Sequence, residues 1–138
     1  MTSDCVVCAI VSGSLPSRQV GENDRALAFL DINPATDGHT LVAPKAHTAE
    51  IWDLPRPDGH AVIDLVRETA ALLRRVLRPE GMTLFQANGG AGWQDVGHVH
   101  VHVVPRWTGD GLTKPWGGTP GNPAALDHLA VRLRSGTR

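Results

Sequence analysis

No apolar run in this sequence approaches the roughly 20 residues needed to cross a bilayer, which excludes a helical membrane span. The opening residues, Met1-Thr2-Ser3-Asp4, lack a basic segment followed by a long apolar stretch and a small-residue cleavage site. No secretory signal is therefore visible, and the expected compartment is cytoplasmic. Cysteine is scarce: Cys5 and Cys8 are the only two, and their close spacing would staple very little. In a reducing compartment they read as thiols or metal ligands in preference to a disulfide. An excess of one charge is also missing, the net value being −1. That excludes the broad basic surface demanded by duplex nucleic acid, but leaves room for a small anionic ligand held by a few local donors. With neither an internal repeat nor an interdomain linker, residues 1–138 are expected to form one domain, long enough for one core.

Histidine is plentiful by contrast, with seven residues. Two of them, His60 and His128, fall in helical patterns and are expected at the surface. Asp4 is expected to cap a short helix through Ile10 and Val11, which Gly13 ends. Ala26 to Leu30 and Thr40 to Ala43 read as short strands flanking the turn-rich segment 33–38. A long helix is predicted from Asp58, as its cap, to Leu77, because Val62, Leu65, Val66, Thr69, Leu73, Val76 and Leu77 recur at three and four residues. Met82 to Ala87 and His98 to Val104 read as strands, the second stopped by Pro105. The Gly- and Pro-rich segment 107–121 is expected to be irregular. Asn122-Pro123 opens a last short helix with Leu126, Leu129, Ala130 and Leu133 on one face. Hairpin-linked strands with inserted helices imply an α+β domain on an antiparallel sheet.

The chemistry concentrates in His98-Val99-His100-Val101-His102-Val103-Val104. On a strand the three histidines point one way and the valines the other, into the core. Neutral imidazole is a good nucleophile towards phosphorus at pH 7, and neighbouring imidazoles can donate protons or hydrogen bonds to phosphate oxygens. Alternating histidines also chelate metals, so the alternation alone leaves catalysis and metal binding both open. Cys5 and Cys8, three residues apart on one side of a helical turn, are half of a tetrahedral zinc shell. A redox pair and unliganded buried thiols are the other readings, although no strand precedes the motif as a thioredoxin-like site would require.

The run from His98 to Val104, with Gln94 upstream and Pro105-Arg106 after it, resembles the signature of the histidine triad (HIT) family. Phe29-Leu30-Asp31-Ile32, Gly38 to Lys45 and His47 match it too, in the family's order. The likeness covers residues 4–106, leaving 107–138 as a tail with a short helix. It implies a HIT-like fold: an antiparallel sheet of about five strands, one long helix and short terminal helices. It further implies a nucleotide hydrolase that cleaves at the α-phosphate of a purine nucleotide conjugate, such as a nucleoside phosphoramidate or adenylylated amine, through a nucleotidyl-histidine. Cleavage of dinucleoside polyphosphates and a low-turnover nucleotide-binding interaction module are the alternatives; a nucleotidyltransferase is disfavoured, because His102 stands where that branch has glutamine.

By the same resemblance, His100 is the nucleophile, oriented by the backbone carbonyl of His98. His102 contacts the phosphate, His39 completes the polar cluster, and Gln94 is an amide donor near the bridging atom. Asp31 is suited to a ribose diol, Val7, Phe29 and Ile32 to an apolar slot for the base, and Asn88 to sugar or phosphate. Val7 and Phe29 read equally well as core residues. Asp95 departs from the pattern: it stands where some relatives carry a hydroxyl, and as an ionised acceptor it repels phosphate, so it either engages a cationic leaving group or lies out of reach. A zinc-binding bacterial-type subset of the family implies that His47 and His98 join Cys5 and Cys8 in a closed, structural zinc site, with no catalytic metal. The expected partners are a purine nucleotide such as AMP or a conjugate of it and, as in relatives, a second copy in a homodimer.

Overall fold

The structure, a computed structural model, describes residues 4–136. Three helices, α1 (Val6–Ser12), α2 (Arg56–Leu77) and α3 (Pro123–Ser135), accompany five strands: β1 (Gln19–Glu22), β2 (Ala26–Leu30), β3 (Thr40–Pro44), β4 (Gly81–Phe85) and β5 (Val101–Arg106). The strands form one sheet in the order β1-β2-β3-β5-β4, with every neighbouring pair antiparallel. The expected α+β, HIT-like architecture of about five strands is therefore found. Among the described residues no helix is long and apolar enough to cross a membrane.

Period-two alternation sorts β2, β3 and β5 between two cores. Ala26, Ala28, Val42 and Val103 pack against Val62, Leu65, Val66 and Leu73 of α2. Burying those four α2 side chains contributes roughly 6–12 kcal/mol relative to leaving them in water. On the other face, Leu27, Phe29 and Ala43 pack with Val7 of α1. The register sets Phe29, Leu41, His102 and Phe85 side by side across four strands. The histidines thus occupy the face opposite α2.

The structure departs from the sequence pattern at several local points. Strand β1 was not foreseen as an element. It pairs with β2 across a turn in which Asn23 Oδ1 accepts from the backbone of Arg25 and Ala26, while Asn23 Nδ2 donates to the Ala61 carbonyl of α2. Asp58 does not cap α2. The helix begins at Arg56 behind Pro55, and the Asp58 carboxylate is buried beside Arg25 Nη1 at 2.9 Å. The α2 stripe ends at Leu73, since Val76 is 65% exposed. Asp4 does not cap α1 either: Cys5 is the N-cap, and its sulfur accepts from the Cys8 amide.

Pro105 lies inside β5, opposite Met82, and does not stop the strand. Its carbonyl accepts from Thr36 Oγ1 on the side that β3 has vacated. The N–H and C=O of one strand residue face the same side, so the missing donor costs no ladder bond to β4. Residues 98–100 precede β5 and are not part of the strand as predicted. Helix α3 has Asn122 as its cap as expected, but Leu126, Leu129 and Leu133 are exposed.

Gly38, immediately before His39, has φ +86°. A side chain there would be strained, and its Cβ would stand 2.5 Å from Leu77 Cδ1 and 3.1 Å from Leu73 Cδ2. The glycine lets the chain turn tightly over the end of α2 and deliver His39 to the edge of β3.

Candidate active site

Three histidines converge on the sheet face opposite α2. The ring centroids of His100 and His102 are 4.8 Å apart, and those of His39 and His102 5.1 Å. His98 leaves this group: its ring turns towards the cysteine pair, so the three alternating histidines do not line one pocket. Phe85 completes the cluster by stacking on His102, centroids 4.0 Å apart and planes 5° from parallel. Phe85 was not anticipated, although its place opposite His102 on β4 follows from the register.

Backbone groups fix the tautomers of the neutral rings. The Ala35 amide donates to His39 Nδ1 at 3.0 Å, so the proton of His39 is on Nε2, which donates to His102 Nδ1 at 2.9 Å. His102 therefore carries its own proton on Nε2. His100 Nδ1 donates to the His98 carbonyl at 2.7 Å, leaving a lone pair on Nε2. One protonated nitrogen and one bare nitrogen thus stand on neighbouring rings. Burial, with help from the adjacent His100 and His39, lowers the His102 pKa to about 4. Burial also pushes His39 down, against the pull of Asp31.

Asp31 Oδ2 is 3.6 Å from His39 Nε2, and Asp31 Oδ1 accepts from the Asn33 amide at 2.8 Å. Asp31, His39 and His102 are close enough together to hold a metal ion. The Ala35 bond decides against that use, because it keeps the facing His39 nitrogen protonated. His39 and His102 form a hydrogen-bonded pair, with the Asp31 carboxylate beside it.

The second cluster behaves differently. Cys5, Cys8, His47 and His98 bring their donor atoms together. His98 Nδ1 lies 3.3 Å from Cys5 Sγ, 3.6 Å from Cys8 Sγ and 3.2 Å from His47 Nδ1, and Cys8 Sγ lies 3.4 Å from His47 Nδ1. Ligand bonds of about 2.0–2.3 Å place the corners of a tetrahedral N₂S₂ shell about 3.3–3.8 Å apart, close to these edges. His98, fully buried, donates from Nε2 to the Pro44 carbonyl at 2.8 Å, which turns the Nδ1 lone pair onto the cluster. That outer bond is what an imidazole ligand requires. Without a cation, burial and the neighbouring Cys5 hold the Cys8 thiol above its ordinary pKa, and burial lowers His98. A bound cation would draw the Cys8 thiol down to thiolate and hold His98 in the same neutral form that burial favours. The donor set and its geometry fit a closed four-ligand site.

The other candidates are less concentrated. Val7 and Phe29 are 2% and 5% exposed and pack in one core, whereas Ile32 is 78% exposed at the rim. Gln94 accepts from the Gly89 amide and donates to the Ala49 carbonyl, clasping two loops. Asn88 Oδ1 accepts from the Ile51 amide, and its Nδ2 donates to Gln86. Neither amide bonds to a histidine. Asp95 is within reach of the centre: its Oδ1 is 3.8 Å from His100 Nε2.

Comparison with known proteins gives consistent matches. The profile of the HIT domain matches residues 12–109. An adenosine 5'-monophosphoramidase of Schizosaccharomyces pombe is 33% identical over 132 residues, covering 95% of this chain and 96% of that protein. The crystal structure of a HIT family protein from Bacillus anthracis superposes with a TM-score of 0.93 at 29% identity, covering 100% of both chains. That of a Zn-bound histidine triad family protein from Mycobacterium smegmatis gives 0.76 at 35% identity, covering 99% of both.

Proposed function

Because the chain belongs to the HIT domain family, we propose that it hydrolyses a purine nucleoside phosphoramidate or adenylylated amine through a covalent intermediate on His100. The observation that carries this reading is the 2.7 Å bond from His100 Nδ1 to the His98 carbonyl, which leaves Nε2 bare. The Nε2 lone pair forms a bond to the α-phosphorus, and the P–N bond breaks with its electron pair on the departing nitrogen, which takes a proton from water. Water then attacks the phosphorus of the nucleotidyl-histidine, releasing the nucleotide, a proton and free His100.

His102 Nε2–H donates to a non-bridging oxygen, kept in that tautomer by His39. Asp31 accepts from the ribose diol; Ile32 covers the base, with Phe29 and Val7 as the floor beneath it. Asn88 and the backbone of the following glycines approach the sugar and phosphate, and Gln94 holds the loop against the bridging atom. The match to the Schizosaccharomyces pombe phosphoramidase supports the substrate class.

Cys5, Cys8, His47 and His98 bind structural zinc, a reading supported by the tetrahedral spacing and by the Zn-bound relative. Bound there, zinc cross-links α1 to the segment that enters β5, and no chemical step passes through it. A homodimer is the expected assembly, with the unpaired edge of β4, where Leu84 and Phe85 are half exposed, as its apolar surface.

The test is turnover of adenosine phosphoramidate with rapid acid quenching. The parent protein is expected to release AMP and to yield a chain heavier by one adenylyl group, and His100→Ala to do neither. Equal release by both proteins removes the nucleophile assignment.

A further inference from the structure

Asp95 links the bare nitrogen of His100 to a cavity that the reaction above does not use. The cavity, about 490 Å³, is lined by Asp4, Val6, His47, Asp95, Val96 and Gly97 among others. Its carboxylates come from segments far apart in the sequence: Asp4, which Cys5 displaces from the helix cap, and Asp95. Among the described residues, neither lysine nor arginine lines it. A Cys₂His₂ zinc behind His47 and Cys5 would sum to zero charge, so the carboxylates set the sign of the field. Independently, His100 is 6% exposed, its Nδ1 is taken by His98, and Asp95 Oδ1 is the group opposite its Nε2, 3.8 Å away and too far for a hydrogen bond. The bare nitrogen of a largely buried ring therefore stands beside Asp95, one of the two carboxylates that line the cavity.

We propose that Asp95 and this cavity form the leaving-group subsite, and that the group it takes is a basic alkylamine carrying a second ammonium. The inference rests on His100 being the nucleophile. In an in-line displacement the departing atom stands on the far side of phosphorus, about 5 Å from the attacking nitrogen. Rotation of the exposed Asp95 side chain brings its carboxylate within hydrogen-bond reach of that position.

The sign of the charge that develops there decides the preference. A phosphoramidate nitrogen is neutral in the substrate and turns cationic as it takes up its proton ahead of P–N cleavage, then leaves as the neutral amine, so Asp95 stabilises the transition state more than the ground state. A polyphosphate leaving group gains negative charge at the same place and is repelled. Val6 and Val96 flank an aliphatic stem, and Asp4 receives the distal ammonium.

The experiment compares three substrates: the AMP monoamide of 1,4-diaminobutane, that of butylamine, and diadenosine tetraphosphate. Parent, Asp95→Asn and Asp4→Asn are each assayed, with circular dichroism confirming the fold. Asp95→Asn is expected to lower kcat/KM on both amides about fivefold, and to raise it on the tetraphosphate. Asp4→Asn is expected to lower it on the diamine amide alone. Equal changes on all three substrates, or no change, overturn the proposal. If the parent turns over none of them, the hydrolase reading fails, and equilibrium binding decides the subsite. Tighter binding of the diamine amide than of the butylamide, lost in Asp4→Asn and Asp95→Asn, supports it, and equal binding overturns it.

Discussion

The ring of His98 and the ring of His100 are joined through one backbone carbonyl: His98 offers its oxygen to His100 Nδ1 at 2.7 Å and its own Nδ1 to the sulfurs of Cys5 and Cys8. Whatever fixes the first ring therefore also fixes the carbonyl that selects the tautomer of the second. The cysteine cluster and the His100 ring are thus tied to two ends of one residue.

Metal removal should be felt in both places. Purified protein is expected to contain about one zinc per chain, and Cys8→Ser to contain none. Losing the cross-link should lower Tm by about 10 °C, a few kcal/mol in a chain of this size. kcat should fall with it, because the His98 carbonyl loses its anchor. Metal analysis, calorimetry and phosphoramidate turnover on the same samples check this; metal-free protein with unchanged Tm would remove the structural zinc.

Acid should destabilise the fold before its carboxylates titrate. The pKa of His102 is about 4 in the folded chain, below the unfolded value of about 6.5, so the unfolded chain takes up the proton first. That contribution is complete above pH 6.5 and is lost as pH falls towards 4. His39 and His98 are lowered in the same direction and add to the slope. Urea unfolding is expected to show a loss on the order of 2 kcal/mol between pH 7 and 4.5. His102→Gln should flatten that slope.

Gly38→Ala tests the turn that delivers His39. The added methyl meets Leu77, Leu73 and Pro105 with φ at +86°. A loss of about 2 kcal/mol is expected from strain and overpacking. Denaturant unfolding measures it, and a midpoint equal to that of the parent would show that the turn relaxes freely.

Asp31→Asn separates ribose binding from chemistry. KM for adenosine phosphoramidate should rise about tenfold with kcat changed less, since a neutral amide pairs poorly with two hydroxyls. On the 2',3'-dideoxy substrate the two proteins should behave alike. A fall confined to kcat would instead make Asp31 a group that acts through His39, 3.6 Å away.

Sequence periodicity by itself determined the long helix, four of the five strands and the faces of the sheet. Alternation placed Val101 and Val103 towards the helix core and His100 and His102 away from it, and the three- and four-residue repeat located α2, because side-chain direction is a local property of the backbone. The spacing of Cys5 and Cys8 likewise placed their two sulfurs together, half of the four-residue donor cluster.

Tertiary structure decided what is not local. That His98 faces the cysteines, which the family resemblance implies but no local pattern shows, that an Ala35 amide keeps His39 Nε2 protonated, that Pro105 is harmless inside β5, and that Asp95 stands 3.8 Å from His100 all depend on segments distant in sequence or on backbone donors with no side-chain signature. Strand β1 has no local signature for the same reason: its four residues are held by pairing with β2, a contact that no period within them encodes.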